Sequence, residues 1–309
     1  MGGAASSPTS VPLSRRREGV VIKELAKGGF STVLLVECEG ELFAAKRVTA
    51  GKSHEAERDA LREIAAHNAV GGSKPVSPFV VALVESSVSL ADEGKVITLV
   101  FPFFKQGALA TLLANADAPL PEARALHFFA CVCDALAAIH ALGVAHLDVK
   151  THNLMLRGDD AVLIDLGSSA GPPATTPCAT AGQRTFIKEA AERFSSAAYR
   201  APELWELPFA ATVLDYRCCD VFAAGCVLHA CLFPPLGFTP FESPSQGLLS
   251  LAARTASFRF PDVPVSGGIK ELVARCLDVD AAKRPCAVDA SAECRALRDL
   301  VDFSADFGA

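Results

Sequence analysis

Apolar residues fall into two different rhythms along this chain. Between Gly19 and about Phe104 they come in short runs rich in branched side chains, at residues 20–25, 31–37, 42–48, 80–88 and 95–100, separated by turn residues. Runs of that length and composition predict β-strands. Residues 54–69 interrupt them with a charged stretch that predicts a helix. After Gly107 the period lengthens: Pro121 opens a segment in which Leu126, Phe129, Leu136 and Ile139 recur at helical spacing. The pattern predicts a strand-rich first region and a helical second one, without internal repeats. Residues 1–18, rich in Gly, Ala, Ser, Pro and Arg, have no hydrophobic period and are expected to be a flexible arm, and residues 301–309 a short tail.

Composition narrows the class. With 309 residues, half of them hydrophobic, the chain can bury the core of a two-lobed domain. Its formal charge of −6 gives no reason to expect nucleic acid as a partner. The eleven cysteines lie scattered in apolar stretches, with only Cys131 near Cys133 and Cys218 beside Cys219, so they predict buried free thiols and a reducing, cytoplasmic setting. No apolar run is expected to span a membrane, because Asp134 and His140 interrupt the richest one.

Candidate chemistry is strung along the chain in a fixed order. Leu25, Ala26, Lys27, Gly28, Gly29, Phe30, Ser31, Thr32 and Val33 form a glycine-containing turn between two strands. Its backbone N–H groups could cover phosphates, although an ordinary hairpin has the same spelling. Lys46 stands on the next strand, and Glu63, on the predicted helix, is its candidate ion-pair partner, with Glu55 and Glu57 as alternatives. The most informative segment runs Ala145-His146-Leu147-Asp148-Val149-Lys150-Thr151-His152-Asn153 and is followed by Val162-Leu163-Ile164-Asp165-Leu166-Gly167. Phosphoryl transfer from ATP needs a group to orient the attacking hydroxyl, cations to balance phosphate charge and oxygen ligands for Mg2+. Asp148, Lys150, and the pair Asn153 and Asp165 are the candidates for those three tasks. Asp220, opening an apolar helix, is expected to accept backbone N–H bonds from the segment around Asp148, and Arg284 to pair with Glu203 of Ala201-Pro202-Glu203.

In that order the motifs resemble the eukaryotic protein kinase superfamily from Gly19 to about Leu300. Gly28-Gly29-Phe30-Ser31, Pro102-Phe103-Phe104-Lys105-Gln106-Gly107, Asp165-Leu166-Gly167-Ser168 and Tyr199-Arg200-Ala201-Pro202-Glu203-Leu204 are similar to the Numb-associated kinase family. The resemblance implies an α+β, bilobal protein kinase-like fold, with a β-rich N-lobe over residues 19–104 holding one main helix and an α-helical C-lobe over 105–300. It also implies protein substrates, a serine/threonine preference carried by Lys150 and Ser196, and Phe101 at the gatekeeper position. A role in trafficking or secretion, at Golgi or other internal membranes, follows only by analogy.

Several positions depart from the superfamily. Leu147 replaces an arginine that normally gathers an activation-loop phosphate, so activity is expected without that phosphorylation. Ala26 and Ser31 replace glycines, which keeps a nucleotide-binding scaffold as the competing reading. Thr151 and Phe222 replace a proline and a tryptophan. Residues 183–194 place Phe186, Ala190 and Phe194 four apart, predicting an amphipathic helix, with a disordered loop as the alternative, whereas residues 170–181 read as unstructured. At the start, Met1-Gly2-Gly3-Ala4-Ala5-Ser6 fits N-myristoylation of Gly2, and Arg15, Arg16 and Arg17 could add the second signal that peripheral membrane binding needs.

Overall fold

The computed structural model describes residues 10–12, 18–29, 31–51, 54–91, 94–207 and 212–307. It divides into two units, Met1–Val76 with Val81–Phe104, and Ser77–Val80 with Lys105–Ala309.

The first unit opens with β1 (Ser10–Pro12), and its branched runs become β2 (Glu18–Lys27), β3 (Ser31–Cys38), β4 (Glu41–Gly51), β5 (Glu85–Ala91) and β6 (Gly94–Pro102). They form one antiparallel sheet in the order β1-β2-β3-β4-β6-β5. Side chains on β6 alternate between the two sides, as the period of a strand requires. Ile97 and Leu99 pack with Val48, Ala56, Ala60 and Leu83, while Val100 joins Val11, Val36, Cys38 and Ala45. Helix α1 (His54–Ala69) turns Ala56, Ala60 and Glu63 inward on one face.

Two expectations are corrected here. Residues 10–12 are not part of a flexible arm: they pair with 18–20, and Val11 is fully buried, a three-residue strand being too short to leave a readable pattern. Residues 80–88 are not one strand either. Val80 bridges to Leu163 in the second unit, and the sheet strand begins only at Glu85.

The second unit runs through α2 (Leu109–Ala114), α3 (Glu122–Ala141), the hairpin β7 (Leu154–Arg157) and β8 (Asp160–Leu163), β9 (Thr175–Pro177), α4 (Ala181–Phe194), α5 (Pro202–Trp205) and β10 (Val213–Asp215). It continues with α6 (Tyr216–Leu232), the pair β11 (Glu242–Ser243) and β12 (Gly247–Leu248), α7 (Ser250–Thr255), α8 (Gly267–Cys276) and α9 (Ala287–Phe307). Helix α6 is buried on almost every side and packs on α3 and α8. A Cβ at Gly225 would meet Cys276 Cβ at 2.7 Å, so glycine is what lets α6 and α8 approach.

Four further expectations change in this unit. Helix α3 is long and apolar enough to cross a bilayer by composition alone, but Leu126, Phe128, Phe129, Leu136 and Ile139 are buried against protein, the role of a core helix. Residues 170–181 are ordered by backbone pairing: Ala170 bridges Ala145, β9 pairs with β10, and Ala174 and Cys178 are buried. The predicted helix over 183–194 exists as α4, started by a capping box between Thr180 and Gln183. Its inward face is one residue later than expected, with Ile187 and Ala191 buried and Phe186 67% exposed. Residues 301–307, expected as a tail, continue α9. All eleven cysteines are free, and most are buried.

Candidate active site

The first unit carries a turn and an ion pair of its own. Ala26 faces Val33 and Lys27 faces Thr32 at the end of the β2–β3 ladder, and the Gly28 N–H closes the turn on the Ser31 carbonyl at 2.7 Å. Leu25, Gly29 and the strand residues around them are placed on this hairpin, while Phe30 lies outside the described residues. On β4, the Lys46 ammonium donates to both carboxylate oxygens of Glu63, at 2.8 and 2.7 Å. Helical geometry makes the choice among the three glutamates. Glu63 shares the buried face with Ala56 and Ala60, Glu55 is exposed, and Glu57 pairs with Lys95.

In the second unit, Asp148 sits at the centre of a hydrogen-bond cluster. Its Oδ2 accepts from Lys150 Nζ at 2.7 Å and from Asn153 Nδ2 at 3.0 Å, and its Oδ1 accepts from the Ser196 hydroxyl at 2.8 Å and the Ser196 N–H at 3.1 Å. Lys150 also donates to Ser196 Oγ at 2.9 Å, so one cation bridges the carboxylate and a hydroxyl beside it. The loop that carries Asp148 is held from below. Asp220, with no exposed surface, accepts from the backbone N–H groups of His146 and Leu147, both at 2.7 Å. Leu147 is thereby kept at φ 67°, a left-handed conformation that a leucine does not adopt without such support.

Asp165 is also left-handed, at φ 64°, and caps a short turn by accepting from the Gly167 N–H. It is tied to Asn153 through the backbone, since the Ile164 N–H donates to the Asn153 carbonyl at 2.9 Å. Asn153 also donates through Nδ2 to the Asp148 carbonyl, which leaves its side-chain oxygen as the end available to a cation. An amide oxygen and a carboxylate are hard oxygen donors, and they fit a small divalent ion. Behind these groups, Arg284 donates to both oxygens of Glu203, at 2.7 and 2.8 Å, and lies over the Phe222 ring.

The protein kinase domain family matches residues 20–293. The chain belongs to that family, among its serine/threonine members. Serine/threonine-protein kinase 16 of Rattus norvegicus is 32% identical over 273 residues, which cover 85% of each chain. The Homo sapiens protein of that name has the same identity and coverage. Serine/threonine-protein kinase ppk13 of Schizosaccharomyces pombe is 26% identical over 307 residues, 86% of each chain. The family accounts for the bilobal α+β fold, the use of ATP with a divalent metal, and protein substrates.

Three supporting residues of this kinase had no role assigned from the sequence. His140 approaches Asp220 Oδ2 at 2.8 Å from the end of α3, and His146 Nε2 meets the Ile164 carbonyl at 2.9 Å, so both histidines brace the segment that carries Asp148. The signal was present for His140, a polar interruption in an otherwise apolar helix. Ser195 is the third, gripped by Arg200 through its hydroxyl at 2.8 Å and its carbonyl at 2.9 Å. No sequence spacing pointed to that contact, because it depends on the path of the segment after α4.

Proposed function

We propose that this kinase transfers the γ-phosphoryl group of ATP to serine and threonine hydroxyls with Mg2+ as its metal, and that Asp148 orients the attacking hydroxyl. The observation that carries this reading is the Ser196 hydroxyl 2.8 Å from Asp148 Oδ1, a contact of the kind a substrate hydroxyl must make. Lys150, already within reach of both Asp148 and that hydroxyl, would balance charge on the moving phosphoryl group. Lys46, positioned by Glu63, supplies a cation for the other phosphates. Asn153 and Asp165 would hold Mg2+, which when bound neutralises phosphate charge. Radiolabelled transfer from ATP to a basic protein should vanish in Asp148→Asn. Nucleotide binding without transfer in the wild type would favour the scaffold reading that Ala26 and Ser31 leave open.

Activity without activation-loop phosphorylation is supported by Leu147, an uncharged side chain whose loop contribution is a backbone N–H to Asp220. Phosphatase treatment should leave the rate unchanged, and a lost rate would end this part of the proposal. Peripheral membrane association through N-myristoyl Gly2 with Arg15, Arg16 and Arg17 rests on the sequence, since these residues lie outside the described ones. Gly2→Ala should move the kinase to the soluble fraction. A cytoplasmic place rests on the scattered free cysteines, and an association with Golgi or other internal membranes, with a part in trafficking or secretion, on the family resemblance alone.

A further inference from the structure

Away from the catalytic segment, three side chains of different chemistry converge where β8 meets α3. His127 and Cys131 are four residues apart on α3 and therefore share a face. Asp160, the first residue of β8, completes the group. His127 Nε2 lies 3.0 Å from Asp160 Oδ1 and 3.7 Å from Cys131 Sγ, and Sγ lies 3.9 Å from that oxygen.

We propose that His127 Nε2, Cys131 Sγ and Asp160 Oδ1 form a zinc site with solvent as the fourth ligand. A mixed nitrogen, sulfur and oxygen set belongs to Zn2+ rather than to Mg2+ or Ca2+. The spacing fits as well. Zinc–ligand bonds of about 2.0 to 2.3 Å in a tetrahedron put the ligand atoms about 3.3 to 3.6 Å apart, so small side-chain shifts suffice here. Cys131 is buried at the back, while His127 and Asp160 keep about a third of their side-chain surface, which leaves an ion an entrance and room for a water.

The groups also show what an ion would replace. Arg298 of α9 lies 3.0 Å from His127 Nδ1 and can only donate, so that nitrogen is the acceptor and the ring proton sits on Nε2, donating to Asp160. On binding, the Cys131 thiol releases its proton to solvent and the thiolate forms the sulfur–zinc bond. The imidazole stays neutral as its proton passes to Nδ1, and the half-exposed Arg298 guanidinium turns away. No group is oxidised or reduced. The cluster changes from one negative charge to none, which matters beside the positive Arg157 and Arg298. The ion would fasten to α3 the hairpin whose strands follow Asn153 and precede Asp165.

Cobalt titration of the full chain tests this. Co2+ should raise a thiolate-to-cobalt charge-transfer band in the near ultraviolet, saturating at one ion per chain and displaced by Zn2+. Oxygen ligands such as Asn153 and Asp165 cannot produce that band. It should vanish in Cys131→Ser, weaken about tenfold or more in affinity in His127→Gln and Asp160→Asn, and persist in Cys286→Ser, which removes the exposed thiol. Absence of the band in the wild type, its survival in Cys131→Ser, or its loss in Cys286→Ser would overturn the proposal. Should Cys131→Ser not fold, unchanged cobalt affinity in both His127→Gln and Asp160→Asn would do the same.

Discussion

Asp220 illustrates how much depends on a single buried carboxylate. Two consecutive N–H groups and His140 meet it, so the backbone at Leu147 is held in a conformation its own side chain disfavours. An asparagine would offer one oxygen and turn an NH2 toward a donor, leaving at least one N–H without a partner. Asp220→Asn should therefore lower kcat by about tenfold or more through displacement of Asp148, with KM for ATP little changed, as steady-state kinetics would read. His229 makes a different point at the same scale. Buried among Phe233, Phe258 and Phe260, its imidazole is pushed down from 6.5 to about 4, because burial disfavours the charged ring. In unfolded chains His229 takes up a proton near pH 6.5, whereas in the folded protein it does so only near pH 4. Its contribution to stability is thus complete above about pH 6.5 and lost as the pH falls toward 4. Urea midpoints measured across that window should fall less steeply in His229→Phe than in the wild type.

At the scale of elements, α4 separates what a pattern predicts from what packing selects. Apolar residues sit at Phe186 and Ile187, and spacing by four from either one gives an acceptable stripe. The remainder of the second unit selects Ile187 and Ala191, leaving Phe186 in solvent. Ile187→Ala should cost about 2–4 kcal/mol in chemical denaturation, and Phe186→Ala less than about 0.5 kcal/mol. A larger loss in Phe186→Ala than in Ile187→Ala would mean that the helix faces the other way. The same logic explains α1, where three glutamates were candidates and only the one in phase with Ala56 and Ala60 reaches Lys46.

At the scale of the molecule, the Glu203–Arg284 pair links α5 with the segment before α9, and Arg284 also donates to the Cys218 carbonyl of α6. Both side chains are almost fully buried, so either one alone would be an uncompensated charge. Arg284→Ala should lower stability by about 3–5 kcal/mol, whereas replacing both partners by apolar residues of similar volume should recover much of it. Thermal unfolding of the single and double variants would read the difference.

The sequence by itself determined the order and chemistry of the parts. Strand runs before helical periods, a lysine on a strand, and Asp148, Asn153 and Asp165 at the ends of apolar stretches are local features, so they survive in one dimension. Tertiary structure decided the rest, because burial and partner choice depend on residues distant in sequence. Val11 joins a sheet that its three-residue strand could not announce, residues 170–181 gain order only from Ala145 and β10, and His140 becomes a support only where α3 meets α6. Which glutamate holds Lys46, and which face of α4 is buried, were likewise settled by packing, since helical periodicity allows several registers and only one of them meets the core.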